Sequence, residues 1–545
     1  MAYSKTTWQN NVTDIDENNL NKIEQGIYDN SLVVDAIKNK LNPTDTETYK
    51  TAELTEGQIT DVIGVSDILI KGQTEQDGTP TPSAPVDVNV VSGSNVINTS
   101  SKNLFDKDTE IKGKLIVTTT GAIQNNSAWN ISQFIPVKSG TELCFSYQTQ
   151  GRGQIELIEY DKNQNILGGE APSITQKYTK TISNNTKFVR VGYRNDLTCD
   201  NLQLEYGSNR TTYEPHQGKE LPLDLPVENL FVEFSFTDKT QNGLKVSRNS
   251  NNTLLIKGIS TAIVNNWIDN LNISLSAGTY TFSTNYDLGS KITIVLKDNN
   301  SQNLVQFNSG KSATFSITET TVFNQMLIQV ASGVTIDNNF SFQLEQGSKA
   351  NAYTPYGTDP IELCKIGNYQ DYFYKSGSKW YLHKEIKKTI FNGNSSEVWT
   401  LNSSGTYYKY QWSYALPDKY NVANTPISCN YFQQITVSEG DTKKKIGIVN
   451  GLYPGYSIAI ICEITTLNDF KTWLASNNVF VYYPLETAID TEITDTTLIS
   501  QLEAIYNAPL YEETNITQTN NDLPMILDIT ACKDNINGIK AFIRK

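Results

Sequence analysis

Histidine is almost missing from this chain of 545 residues: His216 and His383 are the only two. A Ser, Cys or Thr nucleophile is usually activated by a neighbouring imidazole, so at most two such sites can be built. His216 falls in a polar turn and His383 alternates along a hairpin strand, both ordinary places for a surface histidine. No G-x-S-x-G, P-loop, G-x-G-x-x-G or H-E-x-x-H occurs. Cysteine is sparse as well. Cys144, Cys199, Cys364, Cys429, Cys462 and Cys532 form no C-x-x-C and no short spacing, which argues for buried free thiols over a disulfide framework or a zinc site. The longest apolar run, near 458–461, is far too short to span a bilayer. Residues 1–8 are polar and read as no secretory leader, so the chain is expected to be made in a cytoplasm and to stay soluble. A basic block is lacking too: 44 Lys and Arg stand against 58 Asp and Glu, a net charge of −14. That disfavours nucleic acid and anionic membrane surfaces as partners.

What the chain does have is a repeat. Residues 203–215 read Q-L-E-Y-G-S-N-R-T-T-Y-E-P and residues 343–355 read Q-L-E-Q-G-S-K-A-N-A-Y-T-P. Gln203/Gln343, Leu204/Leu344, Glu205/Glu345, Gly207/Gly347, Ser208/Ser348, Tyr213/Tyr353 and Pro215/Pro355 coincide without a gap. Each copy opens on Asn-Leu-Phe, at Asn103 and at Asn229. Between those ends, short alternating runs are separated by Gly, Asn and Asp turns, the pattern of an antiparallel β-sandwich. Two tandem sandwiches are therefore expected, at 101–218 and 227–357.

Ahead of them, Leu20, Ile23, Ile27, Val34, Ile37 and Leu41 occupy a and d positions of a heptad, with Asn30 the one polar d residue. About three heptads make a short coiled coil, an oligomer seam when other contacts support it. A single amphipathic helix packed on its own chain is the competing reading. Residues 1–42 are assigned to this helix and 43–100 to a β-rich connector. That connector contains a Pro-rich stretch, where Pro80, Pro82 and Pro85 forbid a strand ladder. A β-hairpin is expected in 358–390, and neither it nor 43–100 looks able to bury a core alone. The two are expected to form one domain that the sandwiches interrupt. Residues 391–490 read as a C-terminal sandwich-like domain with a helix from Leu467 to Leu474, capped by Asn468 or Asp469. Residues 491–545 read as a helix, Thr496 to Asn507 behind Asp495, plus a last strand. The fold class is thus mainly β with an N-terminal helix.

The Asn-Leu-Phe opening with the Q-L-E-x-G-S-x-x-x-x-Y-x-P finish resembles jelly-roll, carbohydrate-binding-module-like domains of phage tail and baseplate proteins. Thr7-Trp8 onward, the 19–27 segment and the Q-D-G-T-P-T-P run at 76–82 resemble the same proteins. That resemblance implies a virion location, attachment to other tail or baseplate proteins through the N-terminus, and a homotrimer.

Sugar recognition needs aromatic faces for C–H surfaces and polar side chains for hydroxyls. The first sandwich offers Trp129, Tyr147, Arg152, Arg190, Tyr193 and Arg194, and the second offers Trp267 and Tyr286. Each tryptophan sits in an Asn-rich setting; turned outward it is a ligand platform, turned inward it is core. Asp161-Lys-Asn163-Gln-Asn165 and the matching 298–300 turn alternate oxygen groups, readable either as calcium ligands or as Asx turns, and no metal ligand or cofactor is assigned. The expected function is non-enzymatic: a tail protein presenting modules to a host cell-surface glycan. The alternatives are a structural spacer that binds only other tail proteins, and a polysaccharide-degrading protein with two carboxylates across a cleft.

Overall fold

The computed structural model describes residues 49–533 apart from 61, 148–152, 175, 196–200, 250–251, 403–405, 413–423, 451–457, 478, 509, 511–512 and 520–522. The heptad residues Leu20, Ile23, Ile27, Asn30, Val34, Ile37 and Leu41 lie outside the described residues, as does Arg152. Within them the chain is mainly β, and its named strands pair antiparallel in sheet after sheet.

The central layer is a seven-stranded sheet in the order Tyr49–Leu54, Ile526–Lys533, Val62–Lys71, Tyr372–Ser376, Lys379–Phe391, Val479–Glu492 and Ser428–Cys429. Segments 43–100 and 358–390 meet directly in it, with Ile70 opposite Phe373 and Lys71 opposite Tyr372. Both C-terminal segments also reach this sheet. Val479–Glu492 pairs with Lys379–Phe391 along almost its whole length. Ile526–Lys533 slots between Tyr49–Leu54 and Val62–Lys71. The boundaries read from sequence at 390/391 and 490/491 therefore fall inside one shared sheet.

A four-stranded sheet, ordered Gly218–Asp224, Ser94–Ser100, Glu513–Thr519 and Gly57–Thr60, contributes to the same core. The helix Thr496–Tyr506 fills that core with Leu498, Leu502 and Ile505, which join Ile68, Ile70, Leu221, Leu223 and Trp380. Asp495 caps it by accepting from the Leu498 amide at 2.8 Å, which satisfies one of the unpaired first-turn donors. A further excursion carries a four-stranded sheet and the helix Leu467–Asn477, with Phe391, Trp399, Tyr410 and Phe470 in its core. Its cap is neither Asn468 nor Asp469. Thr466 accepts the Asp469 amide at 3.1 Å, two residues ahead of Asn468, the earlier of the two caps the sequence pattern indicated.

The repeats are two layered β modules inserted into this frame. In the first, Lys177–Thr181, Glu142–Ser146 and Gln203–Tyr206 form one sheet. Its partner sheet runs Ile166–Glu170, Gly153–Tyr160, Phe188–Arg194, Ile123–Ile131 and Ile111–Ile116. Leu157, Val189, Val191, Phe105, Phe145 and Leu204 pack between them. The second has a larger core that gathers Phe231, Phe282, Phe323, Phe340 and Phe342. The repeated sequence closes each module. Asn103 donates to the Leu202 and Glu214 carbonyls and accepts from the Phe105 and Leu204 amides. Gln203 accepts the Glu214 amide, as Gln343 accepts that of Thr354.

Four cysteines, Cys144, Cys364, Cys429 and Cys462, are free and buried. Burial pushes the Cys144 thiol up to about 11, and those of Cys429 and Cys462 up to about 12, so all three stay protonated at neutral pH. No helix among the described residues is long and apolar enough to cross a membrane.

Candidate functional site

Strand Val264–Ile268 is built from V-N-N-W-I, and its residues alternate buried and exposed. Val264, Asn266 and Ile268 face inward, so Asn265 and Trp267 face out. Trp267 is 39% exposed. Register places Leu327 opposite it on Thr321–Val330, and Val295 opposite Leu327 on Ile292–Asp298. Leu327 and Val295 are both nearly covered, so the three form an apolar stripe across the sheet with the indole at its open end.

Polar side chains run along both sides of that stripe. On one side Gln329 Nε2 donates to Asn265 Oδ1 at 2.9 Å, while Lys239 Nζ donates to the Asn265 carbonyl at 2.6 Å. Burial holds the Lys239 ammonium below its ordinary pKa. On the other side Gln325 Nε2 donates to Asp269 Oδ1 at 3.0 Å. Lys297 Nζ stands 5.9 Å from the Trp267 ring centroid and donates to the Ser301 carbonyl. An exposed indole between rows of amides, a carboxylate and ammonium groups can take the C–H face of a pyranose and hydrogen-bond its edge hydroxyls.

The other sequence-predicted residues divide. Tyr147 is core at 1% exposure, its hydroxyl donating to the Ile174 carbonyl. Tyr193 is core as well, bonded to Glu110 Oε2 at 2.5 Å and to Asn130. Both were candidate ligand residues by type. Both are turned inward beside Val189, Val191 and Leu204, where they cannot meet a glycan. Tyr286 is half-buried against Phe340, 5.0 Å between ring centroids, away from the Trp267 stripe. Trp129 is half-buried opposite Arg194, whose guanidinium reaches Gln154 at 3.3 Å. These three share the outer face of the first module with Ile131, Ile158, Tyr160 and Phe188, and there a second apolar cluster closes the surface. Arg190 is sealed into it, over the Phe134 ring at 4.8 Å and donating to the Ser132 carbonyl. The two modules thus present unlike faces, one closed and one open. Lys297, Gln325, Gln329 and Asn265 were missed by sequence reasoning; the strand register around Trp267 is the signal that identifies them.

The oxygen-rich turns are Asx turns. Asp161 Oδ1 accepts from the Asn163 and Asn165 amides, each at 2.8 Å. Asp298 Oδ1 accepts from those of Asn300 and Gln302. The local hydrogen bonds, that of the Asn165 side chain first, hold the Asp161 carboxyl below its usual range.

No protein-family model matches this chain, and no curated protein matches it. Among solved structures, a protein of Parabacteroides distasonis aligns at 11% identity over 55% of this chain and 100% of its own, with a TM-score of 0.12. A calcium-binding mutant of Bacteroides uniformis β-glucuronidase 2 aligns at 10% identity over 62% of this chain and 34% of its own, with a TM-score of 0.10. An infectious bursal disease virus structure aligns at 11% identity over 55% and 72%, with a TM-score of 0.09. At these scores the likenesses assign neither a fold family nor an activity.

Proposed function

We propose that this chain is a phage tail or baseplate protein whose second sandwich, a jelly-roll carbohydrate-binding-like module, holds a host cell-surface glycan without cleaving it. The observation that carries the recognition step is Trp267, exposed at the end of an apolar stripe and flanked by hydrogen-bonding side chains. The virion setting rests on the Asn-Leu-Phe and Q-L-E-x-G-S signatures and on the N-terminal resemblance. One open face per chain binds weakly. Copies joined by an N-terminal helix, as a homotrimer on the tail, add their sites through effective concentration. The closed outer face of the first module favours the spacer reading for that module alone.

The test is binding of the purified full chain to a panel of immobilised bacterial envelope polysaccharides, beside Trp267→Ala and Trp129→Ala. Trp267→Ala should lose about tenfold or more in affinity for the polysaccharide that wild type binds, as truncation of an aromatic anchor does. Trp129→Ala should bind as wild type does. Equal binding by wild type and Trp267→Ala would overturn the assignment.

A further inference from the structure

The first module stands on the four-stranded sheet of the frame, and between them lies a half-open pocket of about 300 Å³. One wall is the outer face of that sheet. Residues alternate along Ser94–Ser100 with Ile97 turned into the core, so Asn98 and Ser100 face away from it. Register sets Glu220 and Thr517 on either side of Asn98, and Gly218 beside Ser100. The facing wall comes from the module and is chiefly apolar, with Leu104, Phe134, Ile135 and Pro136.

His216 belongs to the polar wall. Its Nδ1 lies 2.7 Å from the Asn103 carbonyl. A carbonyl only accepts, so Nδ1 carries the proton and Nε2 of the neutral ring is left as an acceptor. The ring lies over Gly218: a Cβ there would stand 2.8 Å from Nε2 and 3.0 Å from the Thr99 carbonyl. Gly218 and Ser100 are paired, which places Nε2 on the outer face of the sheet next to Ser100. Among the described residues Nε2 has no hydrogen-bond partner.

Thr517 is a second such group. Only 5% of it is exposed, it lines the pocket, and its hydroxyl has no hydrogen-bond partner among the described residues. A hydroxyl this enclosed is left to be satisfied by what enters the pocket. The walls are built before a ligand arrives. Gln133 Nε2 donates to the Thr109 carbonyl at 3.1 Å, and Asp106 Oδ1 accepts the Asp108 amide at 2.9 Å. The Lys187–Glu56 ion pair at 3.1 Å ties the module to the frame. Fixed walls lower the ordering cost of binding.

We propose that this pocket binds one neutral pyranose unit, its C–H surface on the apolar wall and its hydroxyls on His216 Nε2 and Thr517. A volume of about 300 Å³ suits a single sugar ring rather than a chain. Nε2 and the carboxylates of Asp106 and Glu220 accept hydrogen bonds, so the ligand must bring donors; hydroxyls do this and a carboxylate does not. The site shares no residue with the Trp267 face, and it gives the first module, closed on its outer face, a site at its base.

The experiment is a ligand-observed NMR titration of the full chain carrying Trp267→Ala, so that the open face of the second module does not contribute. D-glucose, D-galactose, N-acetyl-D-glucosamine and D-glucuronate are the probes. At least one neutral sugar should bind saturably and more tightly than glucuronate. Adding Thr517→Val, which keeps the shape and removes the hydroxyl, should weaken that binding about fivefold or more, as loss of one hydrogen bond does. His216→Phe, which keeps a ring and removes Nε2, should do the same. Melting curves check that both variants fold, and Thr517→Val carries the test alone if His216→Phe does not. The proposal is overturned if no neutral sugar binds, if glucuronate binds tightest, or if Thr517→Val binds as its parent does.

Discussion

Asn229 and Thr354 lie 125 residues apart in the chain, yet the Asn229 side-chain amide donates to the Thr354 carbonyl at 2.8 Å. The same amide donates to the Phe342 carbonyl, and its oxygen accepts from the Phe231 and Leu344 amides. Asn103 makes the equivalent four bonds in the first module. The first and last words of the repeat are two halves of one clasp. Asn229→Ala would leave two buried amides and two buried carbonyls without these partners, at about 1–3 kcal/mol each before relaxation. The expected result is a loss of about 3–5 kcal/mol in the second module, seen by calorimetry as an early transition while the remaining transitions hold.

Trp267 and Tyr193 should separate recognition from stability. Trp267→Ala removes an exposed ring and should cost glycan affinity with little change in melting temperature. Tyr193→Ala empties part of the first module's core and should cost about 3–5 kcal/mol of stability there. Polysaccharide affinity per folded molecule should not change. Melting curves and binding isotherms on the two variants read this directly.

Two buried glutamates in the first module should give opposite pH responses. Burial raises the pKa of Glu159, but bonds from Thr186, Ser183 and Lys180 outweigh it, and the net shift is downward. Glu159 therefore stabilises the fold above the unfolded glutamate pKa, and this contribution disappears as pH falls through its folded value. Burial also raises Glu156, and there the single Ile116 amide does not offset it. Glu156 thus costs stability above its folded pKa, a cost relieved as pH drops towards the unfolded value. Glu156→Gln should melt higher than wild type at about pH 7, and the difference should vanish near pH 4, below the ordinary glutamate pKa.

Asp371 is fully buried immediately before the central-sheet strand Tyr372–Ser376. It accepts from the Cys364, Glu385 and Ile386 amides and from Lys384 Nζ at 2.6 Å. Lys384 in turn donates to the Glu362 carbonyl. Asp371→Ala strands three amides and an ammonium group, and should destabilise the central domain by about 3–5 kcal/mol in denaturant titrations.

The Asx turns should ignore calcium. Asp161 Oδ1 and Asp298 Oδ1 each already accept two backbone amides. Adding a chelator or millimolar calcium should leave the melting temperature unchanged; a rise with calcium would reassign these turns as ligands.

The two modules were legible because the matching ends that bound each of them lie within one repeat, whereas the bonds that join those ends were not read. Tyr193 was offered as a ligand residue although the pattern carried the opposite signal: in F-V-R-V-G-Y-R the residues Val189, Val191 and Tyr193 share a face, and the valines mark it as the inner one. Trp267 was harder. In V-N-N-W-I the inward middle residue is Asn266, wholly buried and donating to the Ile328 carbonyl, while the tryptophan faces water. That inversion of polarity hides the face until register is known. The central sheet was legible in part: the 358–390 hairpin and its union with 43–100 were expected, but its C-terminal strands were not. Ile526–Lys533 sits between Tyr49–Leu54 and Val62–Lys71, and nothing near residue 60 announces a partner more than 450 positions away.

Ser100, where the chain leaves the four-stranded sheet for the first module, is directly paired with Gly218, where it comes back. The outgoing and returning strands are therefore already joined rung by rung before the module begins. Everything between them hangs from a finished ladder, tied to the frame elsewhere by contacts such as the Lys187–Glu56 ion pair at 3.1 Å. Such a mount would let one inserted module be exchanged for another while the part that folds around Trp380 and the Thr496–Tyr506 helix stays as it is.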